Sequence, residues 1–253
     1  MNQDTMTTPS HLYKYQSVTR YSLQSLADKK VWLSTPASFN DPFDCAINLD
    51  RSKLAESVAH AVEKATQNAV VEDSLKVPSE EDELAYERLR DGLGALMQNI
   101  GVLCLSEAPD EILMWSHYAE NHKGFCIEYK IDETSPLKTM ARPVKYTDVY
   151  PSLSVKNLPA GATETFLDAC LFTKAKQWSY EKEWRAIMDV GGKLYQAPAP
   201  VSAIIFGARM PDADKRDVYE ILRLTPGIEF REAFLLDNFF GLGFRPYVTE
   251  DNR

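Results

Sequence analysis

The spacing of apolar positions changes twice along the chain. "HLYKYQS" (His11 to Ser17) and "KKVWLSTP" (Lys30 to Pro36) read as short strands, and the helical pattern "VTRYSLQSLADK" lies between them. From Arg51 to Asn99 the apolar residues fall three and four apart, as in "LAESVAHAVEKA" and "EDELAYERLRDGLGALM". That spacing predicts a pair of helices joined by a polar link near "DSLKVPSE", with Pro78 and Ser79 opening the second. Beyond Gly101 strand patterns dominate: "GVLCLS", "GFCIEYKI", "RPVKYTDV", "EWRAIMDV" and "VSAIIFG", then a helix "KRDVYEILRL" before "GIEFREAF". Many strand segments with helices grouped near the front predict an α+β protein built on a bent or split, mainly antiparallel sheet. The expected organisation is a single domain over residues 1–253, with 51–99 as a helical insertion.

Composition is consistent with this picture. A chain of 253 residues with 44% hydrophobic content has enough apolar side chains for a full core. A formal charge of −9 argues against holding nucleic acid by a general basic surface, although a nucleic-acid substrate stays open. No apolar run approaches the roughly 18 residues of a membrane span, and "MNQDTMTTPS" lacks both a basic start and an apolar core. The expectation is a cytoplasmic protein with no membrane partner. Cys45, Cys104, Cys126 and Cys170 are too widely separated for a metal site and read as small buried apolar residues; no metal is expected.

Candidate chemistry gathers at four polar stretches: "LYKY", "FNDPFD", "LMWSHYAENHKGF" and "KQWSYEKEWR". The run Asn40-Asp41-Pro42 is a good turn former, since Asn and Asp bond their own backbone and Pro42 fixes φ. It is either a structural turn or a cleft edge, with Phe39 and Phe43 as apolar pegs and Asp44 fixing Arg185 or Lys174. In the third stretch Ser106 and Asp110 are expected to cap a short helix on which Met114 and Tyr118 share a face. In the fourth, Glu181 and Glu183 stand two apart, so in a strand both carboxylates project from one face, where Arg185 also lies. Like charges that close raise at least one pKa unless a cation intervenes, so the group reads equally as a catalytic pair or a structural ion cluster.

The order "LYKY", "VWLSTPASFNDPFD", "VLCLSEAPDEILMWSHYAENHKGFCIEY", "FTKAKQWSYEKEWRAI" and "AIIFGARM" resembles the bacterial domain-of-unknown-function family 2971. That resemblance implies an association with toxins and antiphage defence, and hence an antitoxin or defence-system partner. A second resemblance, to ADP-ribosyltransferases, implies a split β-sheet fold and NAD as substrate. On that likeness Lys14 stands where the family has His or Arg, Ser34 lies on the second strand, and Glu181-x-Glu183 is similar to the catalytic dyad. It implies that Glu183 stabilises an oxocarbenium-like ribose, Glu181 orients or deprotonates a nucleic-acid or protein acceptor, and Lys14 meets the adenosine side or the phosphates. Asn40, Asp41 and Ser34 would then bind substrate, while Trp115, Tyr118 or Trp178 would stack a ring. The residues themselves leave two other readings open. Asp41, Asp44, Glu181 and Glu183 are also the kind of cluster a metal-dependent nuclease uses, and "FNDPFD" with "EKEWR" also fits a non-catalytic nucleotide- or partner-binding module.

Overall fold

The structure is a computed structural model that describes residues 8–46, 48–50, 80–154 and 162–248. The first of the two expected helices in 51–99 lies outside the described residues. The elements run β1 (His11–Gln16), α1 (Arg20–Ala27), β2 (Lys30–Leu33), β3 (Asn48–Asp50), α2 (Glu80–Asn99), β4 (Gly101–Ser106), α3 (Ile112–Tyr118) and β5 (Phe125–Lys130). They continue with α4 (Leu137–Met140), β6 (Ala141–Pro143), β7 (Lys145–Thr147), β8 (Ser152–Ser154), α5 (Ala162–Leu171), β9 (Thr173–Ala175) and β10 (Glu183–Met188). Last come β11 (Lys193–Gln196), β12 (Val201–Phe206), α6 (Asp212–Leu222), β13 (Glu229–Leu235) and β14 (Leu242–Pro246). The chain divides into two compact units, one of residues 1–34, 101–144 and 177–253, the other of residues 35–100 and 145–176.

The first unit is built on an eight-stranded sheet in the order β14-β13-β12-β5-β1-β4-β10-β6. Every neighbouring pair is antiparallel except β12 and β13, which run parallel because α6 carries the chain back between them. The α+β, mainly antiparallel architecture expected from the sequence is therefore present. Helices cover both faces. On one face Leu12, Leu103, Leu105, Ile127, Trp184 and Ile204 pack with Leu26 of α1 and Val218 and Leu222 of α6. On the other, Tyr15, Cys126, Ile205 and Ala233 pack with Met114 and Trp115 of α3. Burial on both faces explains why "GVLCLS" and "GFCIEY" read as nearly unbroken apolar runs rather than alternating ones.

Three local expectations need correction. "RPVKYTDV" is not one strand: β6 pairs with β10 and β7 with β9, and the chain switches at Val144, whose N–H donates to the Glu183 carbonyl at 2.8 Å. Pro143, with no N–H to give, sits on the edge strand β6 where the ladder does not need one. The cap of α3 is Glu111, whose side chain accepts from the Leu113 N–H, and neither Ser106 nor Asp110 serves. Finally, β11 and β14 form from "KLYQ" and "LGFRP", segments the apolar pattern did not mark.

In the second unit α2 buries Leu93 and Met97, and two short parallel pairs, β3 with β8 and β7 with β9, hold the remainder. Two glycines give opposite expectations. A Cβ at Gly124, at the entry to β5, would lie 2.0 Å from the Gln16 carbonyl oxygen, a backbone atom with no rotamer to escape into. A Cβ at the exposed Gly92 of α2 meets nothing within 4 Å. Gly124→Ala should lower stability by about 1–3 kcal/mol, and Gly92→Ala should raise it by about 0.5–1 kcal/mol, both read from urea denaturation midpoints.

Candidate functional site

Four adjacent strands of the sheet carry a row of polar side chains. Glu183 of β10 pairs with Ser106 of β4, Ser106 with Tyr13 of β1, and Tyr13 with Glu128 of β5, so all four project from the face covered by α3. The next row along, Arg185, Cys104, Tyr15, Cys126 and Ile205, is apolar apart from Arg185. Arg185 is fully buried, and its Nε and Nη2 donate to the two oxygens of Glu183 at 2.8 and 3.0 Å, a bidentate pair formed between same-face neighbours two residues apart. Burial pushes the thiol of Cys104 well above its ordinary value, and the Glu183 charge adds to the shift.

Glu181 does not share a strand with Glu183. It ends a 3-10 turn over Lys176–Glu181, and Lys182 then takes a left-handed φ of 43° before β10 begins. Simple strand alternation therefore does not relate the two carboxylates. Ser106 relates them instead: its hydroxyl donates to the Glu181 carbonyl at 2.6 Å, while its ladder partner is Glu183. The Glu181 side chain is buried and accepts from the Tyr118 hydroxyl at 2.7 Å. Beside it stand His117, half-buried Trp178 and Tyr180, with ring centroids 6.0 to 6.4 Å apart.

Other expected site residues lie elsewhere. Trp115 is a core residue: it is completely buried, meets Tyr15 edge-on at 5.1 Å and donates its indole N–H to the Pro109 carbonyl, so it presents no face to a ligand. Lys14, next to Tyr13 in the strand, projects from the opposite face of the sheet, where it lines a hollow together with Ser34. The structure does not bring Lys14 or Ser34 together with Glu183. In the second unit Asn40 is exposed, and Asp41 closes the turn on itself, its carboxylate accepting from the Phe43 N–H at 2.9 Å. Phe43 is 69% exposed and is no peg, a correction that follows from the turn pointing this ring outward. Asp44 is buried and pairs with buried Lys174 of β9 at 3.3 Å, one of its two expected partners.

Sequence reasoning missed Glu128 and took Ser106 for a helix cap. Glu128 is 4% exposed and accepts from Ser202 Oγ at 2.7 Å and Arg231 Nη1 at 3.0 Å. With Glu128 beside it, and chiefly because of its own burial, the Tyr13 phenol is pushed up to about 12. The available signal was an acid inside the apolar run "GFCIEY", an anomaly that only a buried partner resolves.

Residues 114–186 match the model of a family described as a protein of unknown function, DUF2971. The DUF2971 segment runs from α3 to the middle of β10, and so holds Trp115, Tyr118, Glu128, Trp178, Glu181, Glu183 and Arg185. Lys14 and the 39–45 turn precede it. No curated protein and no solved structure matches the chain. Among the described residues no group of three or more His, Cys, Asp or Glu side chains is placed to hold a metal ion, and no helix is long and apolar enough to cross a membrane.

The two parts of the 39–45 turn should respond differently to truncation. Asp44→Ala removes one partner of a buried ion pair and should cost about 3–5 kcal/mol, whereas exposed Asn40→Ala should stay within about 0.5 kcal/mol, both measured by thermal unfolding.

Proposed function

We propose that the chain is an ADP-ribosyltransferase-like enzyme with NAD as its substrate, acting on a nucleic-acid or protein acceptor. The observation that carries the reading is the placement of Glu183 at the start of β10 and of Glu181 in the turn just before it, each buried and each hydrogen-bonded, to Arg185 and to Tyr118. The Arg185 fork engages both oxygens of the Glu183 carboxylate and so sets its orientation. Fixed in this way, Glu183 offers negative charge to a ribose whose C1′–N bond to nicotinamide is breaking. Such charge acts where it develops and needs no reorganisation during the step. Nicotinamide leaves with the bonding pair, the acceptor's nucleophilic atom forms the new bond at C1′, and Glu181 takes the proton the acceptor loses. Half-buried Trp178 and Tyr180 supply ring faces for nicotinamide or adenine. Lys14, on the far face, has no part in this scheme, which departs from the ADP-ribosyltransferase pattern. A toxin or antiphage-defence role, with its antitoxin or defence-system partner, rests on the family resemblance alone.

One observation favours a second reading, the non-catalytic binding module. Arg185 is wholly buried, as a purely structural ion pair requires. The nuclease reading gains no comparable support among the described residues.

The two readings separate in a pair of variants. Glu183→Gln takes the charge from one partner of a buried pair and should destabilise the fold as well as the reaction. The double variant Glu183→Gln/Arg185→Met removes both charges and should recover part of that stability. Transfer of label from radiolabelled NAD to nucleic acid or protein of a cell lysate should fall by about 10² to 10³ in both. A folded double variant that transfers label at the wild-type rate contradicts the enzyme reading.

A further inference from the structure

Lys14 and Ser34 mark a second site, on the face of the sheet away from Glu183. They line a hollow of about 540 Å³, a size ordinary for small-molecule sites. The floor is Ile127 and Tyr129 of β5, and one wall is Trp32 of β2, which is 49% exposed. A second hollow of about 500 Å³ adjoins it, sharing the Lys30 and Tyr129 walls and adding Lys29.

The charge of these walls sets them apart from the rest of the molecule. The chain carries 37 acidic residues against 28 lysines and arginines, yet among the described residues not one aspartate or glutamate lines either hollow. Lys14 is half-buried, and its ammonium donates to the Cys104 carbonyl at 3.1 Å. Among the described residues no carboxylate lies within 4.0 Å of it, while Lys30 has Asp28 at that limit. An ammonium held partly out of water beside a neutral carbonyl favours an anion. The same hollow is lined by Trp32, a half-exposed indole of the kind on which a base stacks.

We propose that this hollow binds a nucleoside monophosphate-sized ligand, its phosphate at Lys14 and its base against Trp32. The inference does not depend on the enzyme reading, since it uses no residue of the Glu183 row.

The test is isothermal titration of the full chain with AMP, GMP, CMP and UMP, with adenosine as the uncharged control. At least one monophosphate should bind, and adenosine should bind at least tenfold more weakly than AMP where AMP is the ligand. Lys14→Met and Trp32→Ala, both in positions that leave the ladder intact, should each weaken binding roughly tenfold. Glu183→Gln/Arg185→Met should leave it unchanged. The proposal is overturned if no monophosphate binds, or if binding survives Lys14→Met and Trp32→Ala but is lost in the Glu183→Gln/Arg185→Met variant. The NAD reading would stand in the first case, which keeps the two failures distinguishable.

Discussion

A guanidinium with no access to water sets the terms for the β10–β4 part of the sheet. Arg185 lies beside Cys104 in the β10–β4 ladder, next to a floor made of Tyr15, Cys126 and Ile205. A charge taken that far from solvent is tolerable only with a partner of opposite sign and matched hydrogen bonds. The partner here is Glu183, two residues back on the same face of the strand, where the pleat brings the fork and the carboxylate side by side. Replacing such a pair by well-packed apolar residues is often neutral or stabilising, so stability alone is a weak reason for its presence. What the pair does provide is a carboxylate with a fixed position and a charge that cannot rotate away.

The sheet extends this principle to its neighbours. Glu128 is buried three strands away in the same row and is matched by Arg231 and Ser202. Between the two glutamates lie Ser106 and Tyr13, so the polar row is continuous across β10, β4, β1 and β5. The other face of the same strands is almost wholly apolar near its centre, and Lys14 is the exception. One strand thus presents Tyr13 to one set of chemistry and Lys14 to another.

Much of this was legible in the sequence, and the gaps have physical causes. The strands "GVLCLS", "GFCIEYKI", "EWRAIMDV" and "VSAIIFG" appear within a residue or two of their expected bounds, because long apolar runs bounded by polar residues leave little choice. Glu183 and Arg185 were expected on one strand face and are there, since period-two alternation needs no tertiary information. Glu181 defeated the same rule because Lys182 adopts a positive φ, which spacing does not reveal. The face occupied by Lys14 depended on register with β5, and the partner of Glu128 lies 103 residues away in the chain; neither is encoded locally. Phe43 was expected inside from its hydrophobicity, although a turn can leave an aromatic ring in water.

In the proposed reaction Glu183 serves the cleavage of a glycosidic bond. Water can take the place of the acceptor in such a step, so the proposed reaction can be followed without knowing the acceptor. The most direct measurement is therefore nicotinamide release from NAD by the purified protein, followed by proton NMR over hours. In buffer, free nicotinamide and ADP-ribose should appear in equal amounts; with cell lysate supplying an acceptor, nicotinamide should be released faster and should exceed free ADP-ribose. NAD that remains intact in both conditions, with the protein folded throughout, would contradict the proposed reaction.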